Sequence, residues 1–210
     1  MNIQPDPKFR AQLLKAIEQR EFKVRTTGVH CSDLLYCLNK TVLRRLYPRP
    51  VGDNDLLLFS LGWATQRWLT GQDTDEPEIE QDGIIVTQDA RWPVGSHLEE
   101  GTAPLKLAEA IDSVPWELKA TFQSSERSIL ENMHWIRQIM AQCYVSGTLE
   151  ARLSRLEIMG NWKSIFGKKE DKGREENRKP TQSAYRLEFT PDELARNWDR
   201  LVSRAAAWRK

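Results

Sequence analysis

Val114-Pro115-Trp116-Glu117-Leu118-Lys119-Ala120-Thr121 is a short apolar run that carries an acid and a lysine two residues apart. Valine, tryptophan and threonine favour a pleated, half-buried strand. Side chains of a strand alternate between its faces. Trp116, Leu118, Ala120 and Phe122 therefore point together into a core, and Glu117, Lys119 and Thr121 point the other way. The alternation sets a carboxylate and an ammonium side by side on a rigid element. Hard-cation and phosphate sites use such a pair, the acid holding the metal and the lysine facing the substrate's charge. An acid and a base are also common on the wet face of any amphipathic strand, so the rest of the chain decides.

Outward from this strand the pattern is mixed. On the N-terminal side, Phe9, Leu13, Leu14 and Ile17 predict a helix from Pro7 to Arg20. A second helix is expected from Ser32, an N-cap, to Tyr47, where Pro48 and Pro50 stop it. A third, carrying Trp63 and Trp68, spans Asp55 to Thr70 and ends at Gly71. Glu78–Thr87 and Arg91–His97 read as strands, with Asp82-Gly83 inside the first. Glu99–Asp112 suits either a short helix or a hairpin. On the C-terminal side a helix is predicted over Arg127–Val145, stopping near Gly147, with strands at Arg152–Met159 and Ser183–Phe189. Lys163–Pro180, charged with both signs, reads as a mobile loop or hairpin tip. Thr190-Pro191-Asp192-Glu193 is a capping box that opens a final helix. This order gives an α/β or α+β fold with a mixed sheet.

At 210 residues the chain is long enough for one domain with a real core. Its net charge of +1 argues neither for nor against a nucleic-acid partner. No basic-then-apolar leader opens it, and no run is apolar enough to span a bilayer. Three cysteines without a framework pattern suggest reduced thiols and a cytoplasmic protein. A zinc site from His30, Cys31 and Cys37 lacks the usual ligand spacing, and Cys37 reads as a core residue.

Asp82 in Glu80-Gln-Asp-Gly-Ile-Ile-Val86, then Glu117 and Lys119 in Trp-Glu-Leu-Lys-Ala-Thr, then Gln138 on the next helix stand in a telling order. This order resembles the PD-(D/E)XK nuclease superfamily, in particular its RecB-like branch, which includes the small CRISPR-associated RecB-like exonucleases. The resemblance runs from about Cys31 to Gly147 and takes in the early segment Ser32-Asp-Leu-Leu-Tyr-Cys37. It implies a restriction-endonuclease-like core: a mixed central sheet flanked by helices, with a helical N-terminal part at 1–71, a catalytic core at 72–160, a charged loop at 161–182 and a terminal strand and helix at 183–210. It also implies a metal-dependent DNA exonuclease working in DNA processing, repair, CRISPR adaptation or phage metabolism, with single-stranded DNA and a DNA-processing protein complex as its partners.

The residue types suit the chemistry. Asp82 and Glu117 would hold Mg²⁺ or Mn²⁺ through oxygen, and the Leu118 carbonyl adds a ligand by resemblance. Lys119 would steady the developing charge, with Gln138 as its accessory. His134, Gln138 and Gln142 lie on one polar line of their helix, beside an apolar stripe of Ile129, Met133, Ile136, Met140 and Cys143. Lys40, Arg44, Arg45 and Arg49 with Tyr47 form a basic helix end suited to phosphates and a stacked base, or an ordinary solvated face. Two departures stand out. Gly62-Trp-Ala-Thr-Gln66 has glutamine where the branch usually has a metal-binding histidine, and no cysteine follows Cys143, so no iron–sulfur cluster is expected. Asp82-Gly83 is also the commonest hairpin signal. The competing readings are a nuclease-fold subunit that binds nucleic acid or a partner but turns over poorly, and an α/β protein whose Glu-x-Lys is accidental.

Overall fold

The computed structural model describes residues 6–21, 27–70, 78–93, 113–122, 127–158 and 180–209. The expectations for Gly71, Glu99–Asp112 and the charged loop at 161–179 fall outside them. The elements are α1 (Pro7–Glu21), β1 (Val29–His30), α2 (Cys31–Leu35), α3 (Leu38–Leu46), α4 (Asp53–Thr70), β2 (Glu78–Gln81), β3 (Ile84–Thr87), β4 (Ala90–Pro93), β5 (Ser113–Thr121), α5 (Met133–Ser146), β6 (Glu150–Glu157), β7 (Thr181–Glu188) and α6 (Pro191–Trp208). A 3₁₀ turn over Ile129–Asn132 leads into α5.

The strands form two mixed sheets rather than one. The smaller has the order β1-β3-β2, and the larger has the order β4-β5-β6-β7. In the larger sheet β5 runs parallel to β6 and antiparallel to β4. β5 is thus an interior strand, as its apolar composition requires. Trp116 is buried with Ala90, and Leu69, Trp92 and Leu118 pack against them. The opposite face of the sheet meets α5, where Ile139 and Cys143 pack on Ala151, Leu153 and Leu194. A second core joins the small sheet to α2 and α6 through Val29, Leu34, Ile84, Val86, Trp198 and Leu201.

Four local expectations need correction. The helix over Ser32–Tyr47 is two helices, broken at Tyr36 and Cys37. Cys37 is exposed at that break, not core. Phe122 is exposed, because β5 ends one residue earlier and leaves it beyond the packed face. On α5 the buried stripe is Trp135, Ile136, Ile139 and Cys143, while Met133 is exposed. No described helix is long and apolar enough to cross a membrane.

Two helix ends follow the sequence signals closely. Thr190 and Glu193 form the reciprocal capping box that opens α6. These hydrogen bonds to Thr190 hold the Glu193 carboxyl below its ordinary range. Gly147 closes α5 in the left-handed region at φ +66°, and among the described residues beyond its chain neighbours and its own helix backbone no heavy atom lies within 4 Å of where its Cβ would be. A substitution there meets only the backbone cost of that conformation. Gly147→Ala is therefore expected to lower stability by about 1 kcal/mol, and Gly147→Asn by less, in urea unfolding.

Candidate functional site

β5 carries Glu117 and Lys119 on the face that meets α5. Glu117 is fully buried. One of its oxygens, Oε1, is paired with the Lys119 ammonium. The other, Oε2, accepts from Gln142 Nε2 at 2.6 Å. The same Gln142 nitrogen reaches the Thr87 carbonyl at 2.9 Å. Lys119 Nζ also donates to Gln138 Oε1 at 3.3 Å. The polar line of α5 thus lies along this face, and Gln142 is buried rather than solvated.

The second acid at this site is Asp89. Its Oδ2 accepts from the Leu118 backbone N–H at 2.7 Å. Ala90 pairs with Trp116 across β4 and β5, so the register carried one residue further sets Asp89 opposite Glu117. The turn that bears it is pinned on both sides. Gln88 is buried and donates to Ser146 Oγ at 2.6 Å. Arg91 donates to the side-chain and backbone oxygens of Ser113, both at 2.7 Å.

Asp82, the expected acid, is not part of this site. It occupies the β2–β3 hairpin turn, with φ +53° followed by Gly83 at φ +70°. Both angles fit the mirror-image turn that Asp-Gly favours. Its Oδ2 accepts from Trp198 Nε1 at 2.8 Å. The span of β3 separates it from Thr87, roughly 10 Å along the strand. Asp82 therefore shapes a turn and anchors α6.

Of the other expected residues, Gln66 does approach the site, with its Nε2 donating to the Asp89 carbonyl at 3.4 Å. Leu118 approaches it through its backbone N–H. On the basic helix end, Lys40, Arg44, Tyr47 and Arg49 are exposed. Arg45 is committed elsewhere. It donates to the Gly28 carbonyl and pairs with Asp33, both at 2.7 Å, and its guanidinium lies over Trp208.

Tyr36 and His134 complete the rim, their rings 5.1 Å apart. Asp89 is not among the residues the sequence pattern points to, and Tyr36 enters there only within the segment Ser32–Cys37 and beside the basic helix. Thr87-Gln-Asp-Ala90, an acid where one strand gives way to the next, was the signal for Asp89, and the stronger hairpin signal at Asp82-Gly83 masked it.

Electrostatics follow from the geometry. Burial pushes the Lys119 ammonium towards neutrality, but Glu117 and Asp89 outweigh it and raise its pKa above the ordinary value. The lysine is held charged. Burial, then Lys119 and Arg127, lower the His134 pKa below its usual 6.5. Burial pushes the Cys31 and Cys143 thiols up to about 12 and about 11, so neither is a thiolate at neutral pH.

No protein-family model matches the chain, and no curated protein matches it. Among solved structures, the crystal structure of SSO0001 is similar, with a TM-score of 0.53 over 95% of this chain and 84% of that chain at 15% identity. The two chains share a fold. The likeness extends to architecture alone, and the chemistry rests on the side chains just described.

Two measurements check this geometry. Gln142→Leu strips a buried charge and a carbonyl of their donor and should cost about 2–3 kcal/mol in denaturant unfolding, whereas Gln138→Leu at the open edge should cost under about 1 kcal/mol. In an NMR titration the His134 midpoint should fall below 6.5. It should move up in Lys119→Ala, which removes one of the opposing charges. Because the folded state binds this proton more weakly than the unfolded one, His134 costs stability as the pH falls through 6.5 and below.

Proposed function

We propose that the chain is a metal-dependent deoxyribonuclease of the PD-(D/E)XK type, with Asp89, Glu117 and Lys119 as its working groups. The observation that carries this reading is the Leu118 peptide. Its N–H holds the Asp89 carboxylate, and its preceding residue is Glu117, itself paired with Lys119. Two acids and a lysine meet at one strand, as phosphodiester hydrolysis by this route demands.

The donor set fits a hard cation. Among the described residues no group of three or more His, Cys, Asp or Glu side chains could hold a metal. Two carboxylates assisted by carbonyl oxygens suit Mg²⁺, which keeps much of its water and needs only one or two acids. Asp89 and Glu117 would hold it, with Gln66 and the Leu118 carbonyl as neighbouring oxygens. Such an ion supplies Lewis-acid polarisation of the phosphate and acidifies water.

The protein's own residues do the rest. Lys119, kept protonated by its acidic neighbours, offers fixed positive charge where negative charge grows in the transition state. Gln138 orients that ammonium from α5. Gln142 fixes the Glu117 carboxylate so that it need not reorganise when substrate arrives. The exposed Lys40, Arg44 and Arg49 supply salt-sensitive attraction for the backbone of DNA.

A second reading, a nucleic-acid-binding subunit with weak turnover, draws on Gln66. An amide that donates to the Asp89 carbonyl is a poorer metal ligand than the imidazole it replaces.

The test is cleavage of labelled single- and double-stranded DNA in Mg²⁺, Mn²⁺ or EDTA. The wild type should cut only with metal. Asp89→Ala and Lys119→Ala should each lose at least about 100-fold in rate, while Asp82→Ala should leave the rate essentially unchanged. Loss of activity in Asp82→Ala but not Asp89→Ala would overturn the assignment of the acid. A wild type that binds DNA but does not cut it with either metal would establish the second reading.

A further inference from the structure

The residues from Ser32 to Tyr47 carry a continuous helical stripe, yet the helix breaks at Tyr36 and Cys37. Tyr36 is extended at φ −101°, ψ −166°, and Cys37 follows at φ −66°, ψ 115°. Neither residue is a glycine or proline, so side-chain contacts at the break account for it; Thr41 within the segment donates to the Asp33 and Cys37 carbonyls. The break is also held from α6. The Arg204 guanidinium donates to the carbonyl oxygens of Leu34 and Tyr36, which the break leaves without helical partners.

The break delivers Tyr36 to the catalytic face. Its ring rests against His134 at a tilt of 48°. His134 stands one helical turn before Gln138, the residue that binds Lys119. The phenol is close enough to Lys119 and Glu117 to feel both charges. Even so, Tyr36 is 53% exposed. On its other side α3 begins, with Lys40 and Arg44 one turn apart and both exposed. A phosphate backbone drawn along α3 would pass Tyr36 on its way to Lys119. The hydrolytic chemistry described above makes no use of this ring.

The geometry points to Tyr36 as a substrate-positioning residue, whose open side stacks on an unpaired base of the strand held at Lys119, with Arg204 acting through it by keeping the helix broken. This rests on the nuclease reading for the nature of the substrate and adds that the base beside the working phosphate is single-stranded. A flat aromatic ring suits that role because every base offers a π-face, so the contact fixes position without selecting sequence.

Crossing single substitutions with two ligands tests it. The wild type, Tyr36→Phe and Tyr36→Ala are titrated by anisotropy with a labelled oligothymidine of about 12 nucleotides and with an abasic strand of the same length. Titrations are run in EDTA and again in Ca²⁺. Tyr36→Ala should bind oligothymidine about tenfold more weakly, and Tyr36→Phe about as tightly as the wild type. Wild type and Tyr36→Ala should bind the abasic strand alike. Equal losses on both strands, or no loss on either, would overturn the stacking role while leaving the nuclease reading intact if the wild type still cuts DNA. A wild type that binds neither strand and cuts nothing would overturn both. Arg204→Lys, which keeps the charge but loses the two-pronged grip, should reproduce part of the oligothymidine loss and none on the abasic strand.

Discussion

One buried carboxylate dictates much of this molecule. Glu117 is buried completely, and an unpaired ion in that position would cost several kcal/mol or more. Its compensation comes from two directions, a lysine on its own strand and a glutamine on α5. Each partner then reaches further. Gln142 also holds the last carbonyl of β3, and so ties the small sheet to the large one. Lys119 also engages Gln138. An apolar residue at position 117 would avoid the desolvation cost, so this arrangement is poorly explained by stability alone.

A second buried ion pair lies on the same face of the sheet. Arg155 and Glu157 on β6 stand in register with Lys119 and Thr121 on β5. Glu157 accepts from the hydroxyls of Thr181 and Ser183 on β7, and Arg155 donates to the Arg127 carbonyl just before the 3₁₀ turn. α5 is therefore fixed at its approach by Arg155 and at its end by Gly147. The glutamines it presents to Glu117 and Lys119 inherit that rigidity, as a site that must be correct to within a fraction of an ångström requires.

The parts of the fold legible from sequence were those written in local physics. The alternation at Trp116–Lys119, the capping box at Thr190 and the glycine stop at Gly147 each specify a conformation within a few residues. The break at Tyr36 is not legible, because the side chain that satisfies its carbonyls, Arg204, lies 168 residues away from the tyrosine. The same holds for the site. Glu117, Lys119 and Gln138 are spaced by the periods of a strand and a helix, and pattern alone aligns them. Asp89 joins them through strand register, which no local pattern encodes, and Asp82-Gly83 offered a stronger local signal that belongs to a turn. Phe122 shows the same limit: alternation assigned it a face but could not tell that the strand ends before it.

α6 reaches back to elements made far earlier in the chain. Arg204 grips the carbonyls at the α2–α3 break, Trp198 holds the Asp82 side chain, and Arg209 donates to the backbone of the hairpin turn. During synthesis the α2–α3 break emerges some 170 residues ahead of its clasp. At about 5–20 residues per second that is a wait of roughly 10 to 30 s. For the last part of that interval, once Lys119 has been made, the nascent chain has both acids and the lysine but not the helix that holds the break beside them. The surroundings of Glu117 and Lys119 are therefore completed late, once α6 has been made.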